Sequence, residues 1–192
     1  IRRQRQMCIR DRSNPIQIIN IRGGGLAIYG GIIGGIIACY IFCKKKNINI
    51  LNLLDCIAPI LALSQGIGRW GNFINVEAYG TETNLPWKMG IIEDGVKKFV
   101  HPTFLYESVW NLLVLVIILV ATPHKKYNGQ LFLLYLAGYG LGRFWIEGLR
   151  TDQLMLFESG IAVSQLLSGV LFLFAIGMLI FKAKQTQAKQ TQ

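Results

Sequence analysis

Five apolar stretches, at about residues 25–42, 51–66, 104–120, 131–146 and 161–181, set the terms on which this chain can fold. Most approach the roughly 20 residues that a helix needs to cross a hydrocarbon core. In lipid a segment must satisfy its own backbone hydrogen bonds, which a helix does. Hydrophobic residues make up 52% of the 192 and charged residues only 16%, a composition that excludes an ordinary soluble domain. The expectation is an all-α polytopic membrane protein with five transmembrane helices in this chain. The second and fourth stretches are short. They reach spanning length only if Arg69 and Arg143 sit within the membrane or at its edge.

Basic clusters give the stretches a direction. Lys44, Lys45 and Lys46 follow the first, His124, Lys125 and Lys126 separate the third and fourth, and Lys182 and Lys184 follow the fifth. If the five alternate, all three clusters fall on one side, which the positive-inside rule makes the cytoplasm. The loops at about 67–103 and 147–160 are then extracytoplasmic, and both arginine-bearing ends lie at the outer face. The first loop reads as a small extracytoplasmic flap with a turn near Asp94-Gly95 and room for a short hairpin. Trp87 in that loop suits either an aromatic belt at headgroup level or a contact with substrate.

Residues 1–12 read as foreign. Residues 2–12 back-translate to a string that resembles a transposase-type sequencing adapter; the other reading is a basic juxtamembrane arm. Without the five Arg and one Asp in this arm, the net charge falls from +10 to +6. The remaining basic residues cluster at the ends of apolar stretches, and no nucleic-acid partner is expected. An odd number of spans, the first entering from outside, implies that the chain begins within a longer protein. Residues 13–181 would then be one truncated transmembrane domain, and 182–192 a polar, repetitive cytoplasmic tail without order. Cys39, Cys43 and Cys56 lie in apolar surroundings with no metal-ligand spacing and read as small hydrophobes. No metal, cofactor or disulfide framework is implied.

The stretch from Gly68 to Gly80 puts Arg69, Asn72, Asn75 and Glu77 at the end of an apolar run. A charge near hydrocarbon depth costs about 2.5–3.5 kcal/mol on insertion scales, so it is rarely carried without a use. Arg69 and Asn72 are three apart and share a face on a helix. A guanidinium beside an amide suits an anionic headgroup, because arginine offers a bidentate fork to phosphate. The plainer alternative is an arginine snorkelling to the interface.

Two more constellations stand further along the chain. Tyr139, Arg143 and Glu147 recur at four-residue spacing, so one helix face carries all three. Arg143 and Glu147 can pair there, either as a structural ion pair or as part of a site. Arg150 lies near the same face at the interface, where it meets lipid phosphate or snorkels. His101-Pro102 opens a segment that continues to Tyr106-Glu107, where the dipole of an incipient helix favours a carboxylate. From the residues alone His101 is a base, a phosphate donor or a plain loop histidine. The glycines from Gly23 to Gly35, at three- and four-residue intervals, allow close helix packing, and Tyr29 lies among them.

These motifs resemble a known family. G-R-x-G-N-F-I-N-x-E-x-x-G at 68–80 is similar to the signature of the bacterial prolipoprotein diacylglyceryl transferases, with Val76 where many members have Gly. The segments at 101–107 and 139–150 and the glycine-rich segment resemble further parts of that family, over about residues 21–181. The resemblance implies seven helices in the intact protein. It implies transfer of a diacylglyceryl group from phosphatidylglycerol to the lipobox cysteine of a prolipoprotein signal peptide, at the outer leaflet of the bacterial cytoplasmic membrane. Arg69 and Arg143 would hold the phosphate, and Asn72, Asn75, Glu77, Gly80, Tyr139, Glu147 and Arg150 would shape the headgroup site. His101 and Tyr29 would handle protons, although Tyr29 stands where many members carry His and a tyrosine with pKa near 10 is a poor base. The nucleophile belongs to the substrate, so no cysteine of the chain is needed. The alternative class is a transporter or channel subunit whose buried Arg and Glu line a path.

Overall fold

The computed structural model describes residues 28–93, 96–149 and 163–190, in two units, 1–50 and 51–192. The first holds one helix, α1 (Ile28–Lys46). Lys44, Lys45 and Lys46 occupy its last turn, where cations oppose the negative end of the dipole. Asn47 follows with φ 53°, the left-handed position that ends many helices. Residues 1–12, which read as foreign in the sequence, lie outside the described residues.

The second unit contains α2 (Ile50–Ile74), a hairpin of β1 (Met89–Glu93) and β2 (Val96–Val100), α3 (Thr103–Ala121), α4 (Gln130–Glu147) and α5 (Val163–Gln190). On α2 the buried residues Asp55, Ala58, Ala62 and Gly66 line one stripe. Small side chains there let another helix approach closely. At Gly66 the space a methyl would fill is bounded by Ser108 O and Asn111 Cβ of α3 at 3.6 and 3.7 Å. The facing stripe of α3 is Glu107, Asn111, Val114 and Ile118. Ala58, Ala62, Val114, Ile118, Leu131 and Tyr135 then make the apolar core between α2, α3 and α4.

A buried carboxylate sets the start of α4. Asp55 accepts from the Gly129 and Phe132 amides at 2.7 and 3.0 Å and pairs with Lys125 at 2.9 Å. It therefore caps, from another helix, the amides that the first turn of α4 leaves without partners. Gly129 has φ 91°, and Leu51 closes over it. Burial and the Asp55 carboxylate together raise the Tyr127 phenol above its usual pKa of 10.0.

Among the described residues, three helices, Ile50–Ile74, Thr103–His124 and Ser164–Ala188, are long and apolar enough to cross a membrane. That is fewer than the five expected. Among the described residues, α1 carries three lysines and α4 spends its 18 residues on Arg143, Glu147 and glycines as well as apolar side chains. The helices also outrun the apolar stretches. α2 continues to Ile74 and takes Arg69 and Asn72 into its last turns. α5 continues to Gln190, through residues expected to be without order, because Lys, Gln and Ala extend a helix that is already formed. The flap does contain a hairpin, antiparallel with Met89 opposite Val100 and Glu93 opposite Val96. Its turn at 94–95 lies outside the described residues.

Candidate active site

α2 ends in a hydrogen-bond pattern that fixes the path of the chain beyond it. Glu77 N–H donates to Asn72 O at 3.0 Å and Val76 N–H to Phe73 O at 3.2 Å. These are the two crossed bonds of a Schellman motif, whose residue past the helix cap is left-handed and usually Gly. Here that residue is Val76, with φ 51°. The chain then turns again at Ala78, φ 58°, and reaches Gly80.

Gly80 is where the three motifs meet. Its amide donates to His101 O, the His101 amide donates to Thr81 O, and the Thr81 amide donates to Leu149 O, each at 3.0 Å. A methyl on Gly80 would lie 2.7 Å from His101 Cβ and 3.0 Å from Leu149 O. Only glycine lets the segment after α2 pass between the start of α3 and the end of α4.

α2 and α3 are joined below this crossing by rings and by charge. Trp70 and Phe73 pack on Phe104, with centroids 5.4 and 4.7 Å away. Arg69 Nε meets Glu107 Oε2 at 2.5 Å. Arg143 reaches the other oxygen of Glu107 at 3.1 Å and Glu147 at 2.8 Å. Ser164 Oγ donates to Glu147 at 2.6 Å. The result is one unbroken sequence, Arg69–Glu107–Arg143–Glu147–Ser164, across α2, α3, α4 and α5. The side chains are 20% exposed at Arg69, 17% at Arg143, 7% at Glu107 and 5% at Glu147. Two cations and two carboxylates cancel, which is what allows four charges to be this dry.

A small cleft opens onto the cluster, lined by Glu107, Trp110, Asn111, Tyr139, Gly142 and Arg143. Trp110 donates from Nε1 to Gly138 O at 2.8 Å, and its ring occupies the space that a side chain on residue 142 would need. The same Trp110 also lines an apolar groove with Trp87, Leu105, Tyr106, Val109 and Leu113. A small cleft at the charged cluster and an apolar groove thus share one indole as their wall. At the rim, Trp87 Nε1 donates to the Tyr106 hydroxyl at 2.8 Å, and that hydroxyl lies 3.2 Å from His101 Nδ1.

Of the residues that the sequence marks out, Arg69, Arg143 and Glu147 are joined in the ion sequence, and Tyr139 lines its cleft. His101 and Gly80 are joined to each other at the crossing of the flap with the start of α3. Asn72 is half-buried on α2, one turn beyond Arg69. Asn75 donates to Glu77 at 3.2 Å, and both are exposed. Tyr29 falls in the first turn of α1, in the other unit, and its side chain is outside the described part of the structure. Arg150 also lies outside the described residues. Sequence reasoning places Glu107 early in a helix but does not make it the hub; its signal is a carboxylate entering an apolar span, which calls for a cation. Ser164 gives no such signal.

The sequence profile of the prolipoprotein diacylglyceryl transferases matches residues 7–181. The chain is 54% identical over 170 residues to the phosphatidylglycerol–prolipoprotein diacylglyceryl transferase of Finegoldia magna, covering 88% of this chain and 66% of that protein. It is 58% identical over 143 residues to the protein of that name from Clostridioides difficile, with 74% and 56% covered. To that of Staphylococcus aureus it is 47% identical over 177 residues, with 88% and 63% covered. The chain therefore spans less than two thirds of the length of these curated relatives.

Proposed function

The chain belongs to the prolipoprotein diacylglyceryl transferase family, and on that premise we propose that the whole protein moves the diacylglyceryl group of phosphatidylglycerol to the lipobox cysteine of a prolipoprotein. Its apolar helices and its bacterial relatives make it a membrane protein. Seven spans, a site at the outer leaflet of the cytoplasmic membrane and the two-arginine phosphate site are parts of the same proposal, supported by the distribution of lysines and by the ion sequence.

In the reaction the cysteine sulfur bonds to the glyceryl carbon as that carbon's bond to the phosphate oxygen breaks. Glycerol phosphate leaves with the electron pair, and the thiol proton goes to a base, since the thiolate is the nucleophile. The observation that carries the proposal is Glu107 held between Arg69 and Arg143. One carboxylate keeps two guanidiniums within its own reach. A guanidinium has five N–H donors, so an arginine anchored at one edge can offer another to phosphate. Donors fixed in advance are worth most when charge gathers on the leaving oxygen in a dry site. The groove across Trp110 would receive apolar parts of the lipid, with the phosphate directed toward Arg69 and Arg143.

The test is to reconstitute the full-length parent with phosphatidylglycerol and a lipobox peptide and to weigh the peptide product. Arg143→Ala should lower product formation by at least about 10²-fold, the scale for removing one such donor. An unsubstituted protein that makes no thioether product but carries a solute across the vesicle would place it with transporters instead.

A further inference from the structure

Trp87, Tyr106 and His101 form a hydrogen-bond chain whose direction can be worked out from one end. Trp87 Nε1 lies 2.8 Å from the Tyr106 hydroxyl, and an indole N–H can only donate. Tyr106 therefore accepts from Trp87. Its own single proton is left to give, and His101 Nδ1 at 3.2 Å is placed to receive it. The reverse arrangement, with a proton on Nδ1, would use both lone pairs of the hydroxyl and leave its own proton without an acceptor among the described residues.

We infer that neutral His101 carries its proton on Nε2 and acts at this site as a hydrogen-bond donor, with Tyr106 and Trp87 as the positioning residues that hold that tautomer. Such a ring has Nδ1 engaged and Nε2 already protonated, so it has no free lone pair for the thiol proton. Its fitting ligand is an anionic oxygen, such as one on a phosphate; this last step rests on the transferase proposal, whereas the tautomer does not. Trp87 belongs to the flap, between Gly80 and β1, and so the flap's position and the imidazole's proton are linked through one hydroxyl.

The chain contains its own standard. It has two histidines, and His124 Nδ1 lies 3.2 Å from the Val120 carbonyl oxygen. A carbonyl only accepts, so neutral His124 holds its proton on Nδ1. The two rings are therefore opposite tautomers. The chain is labelled with 15N-histidine in phosphatidylglycerol nanodiscs and read at about pH 8.5, well above the ordinary imidazole pKa of about 6.5. Two-bond 15N–1H correlations should show one ring of each kind, and His124→Gln should remove the Nδ1–H set. A His101 ring that is Nδ1–H, or doubly protonated, overturns the inference. Tyr106→Phe should bring an Nδ1–H form of His101 into the spectrum. Trp87→Phe, which keeps the hydroxyl but frees its direction, should do so in part. No change in either variant refutes the positioning roles.

Transfer activity gives a second readout. Gln keeps an N–H where Nε2 stood but cannot take up a proton. His101→Gln should hold kcat/KM within about tenfold, and His101→Ala should lose about 10²-fold, the scale for one donor to developing charge. If Gln is as inactive as Ala, at the roughly 10²–10⁴-fold loss typical of a missing general base, His101 is the base and the donor role falls. A full-length parent that makes no thioether while His101 shows the Nε2–H form removes the transferase proposal and leaves the tautomer standing.

Discussion

Val76 is the residue at which local and global demands disagree most openly. A β-branched side chain in the left-handed region costs about 1–2 kcal/mol, yet the Schellman turn needs that conformation so that the chain can reach Gly80. Val76→Gly should therefore raise stability by about that amount, less the few tenths that a freer unfolded chain takes back. Thermal unfolding in detergent checks it, and a lower melting point would mean that the Val76 side chain makes up for its backbone. The sequence already showed Val76 as the odd member of its motif; the reason is visible only once φ is known. Arg69 and Arg143 were legible for a simpler cause, since charge in an apolar run is conspicuous at one position. Glu107 was not, because its meaning depends on two partners that are distant in sequence and adjacent only in the fold.

At the scale of elements, the sequence located the five α-helices of the described residues but ended them where the apolar residues end. A helix ends where its last carbonyls find other partners. For α2 this is at the crossed bonds around Asn72 and Phe73, two turns past the apolar stretch. The start of α4 depends likewise on a residue of α2. Asp55→Asn would keep one acceptor oxygen but lose the charge that holds Lys125 and the Gly129 and Phe132 amides together. Loss of charge-assisted bonds at a buried site is expected to cost about 1.5–3 kcal/mol. Hydrogen exchange should report it locally, as faster exchange of the amides from Gly129 to Leu133 with those of α5 unchanged. Equal acceleration in both helices would show that Asp55 supports the whole unit rather than one helix start.

On the scale of the second unit as a whole, a carboxylate secures each end of α2, α3 and α4: Asp55 at one end, Glu107 and Glu147 at the other, with apolar packing between. Breaking a buried pair by removing one partner costs about 3–5 kcal/mol, because the other charge is stranded. Loss of the Glu107 charge strands Arg69, whereas Arg143 keeps Glu147 at 2.8 Å. Glu107→Gln should thus destabilise the fold by about that amount in a denaturant titration, and Arg69→Met combined with it should recover part of the loss. A double variant no better than the single would mean that Glu107 acts through packing alone. Synthesis adds a matter of timing to the same pairing. The ribosome makes Arg69 well before Glu107, at about 5–20 residues per second, so for seconds α2 enters the bilayer with a cation that has no carboxylate to meet. Arg143 arrives to find Glu107 already in place. The order of emergence therefore makes the first arginine the one that depends on help from water, headgroups or the insertion machinery, and the second the one that locks the assembly.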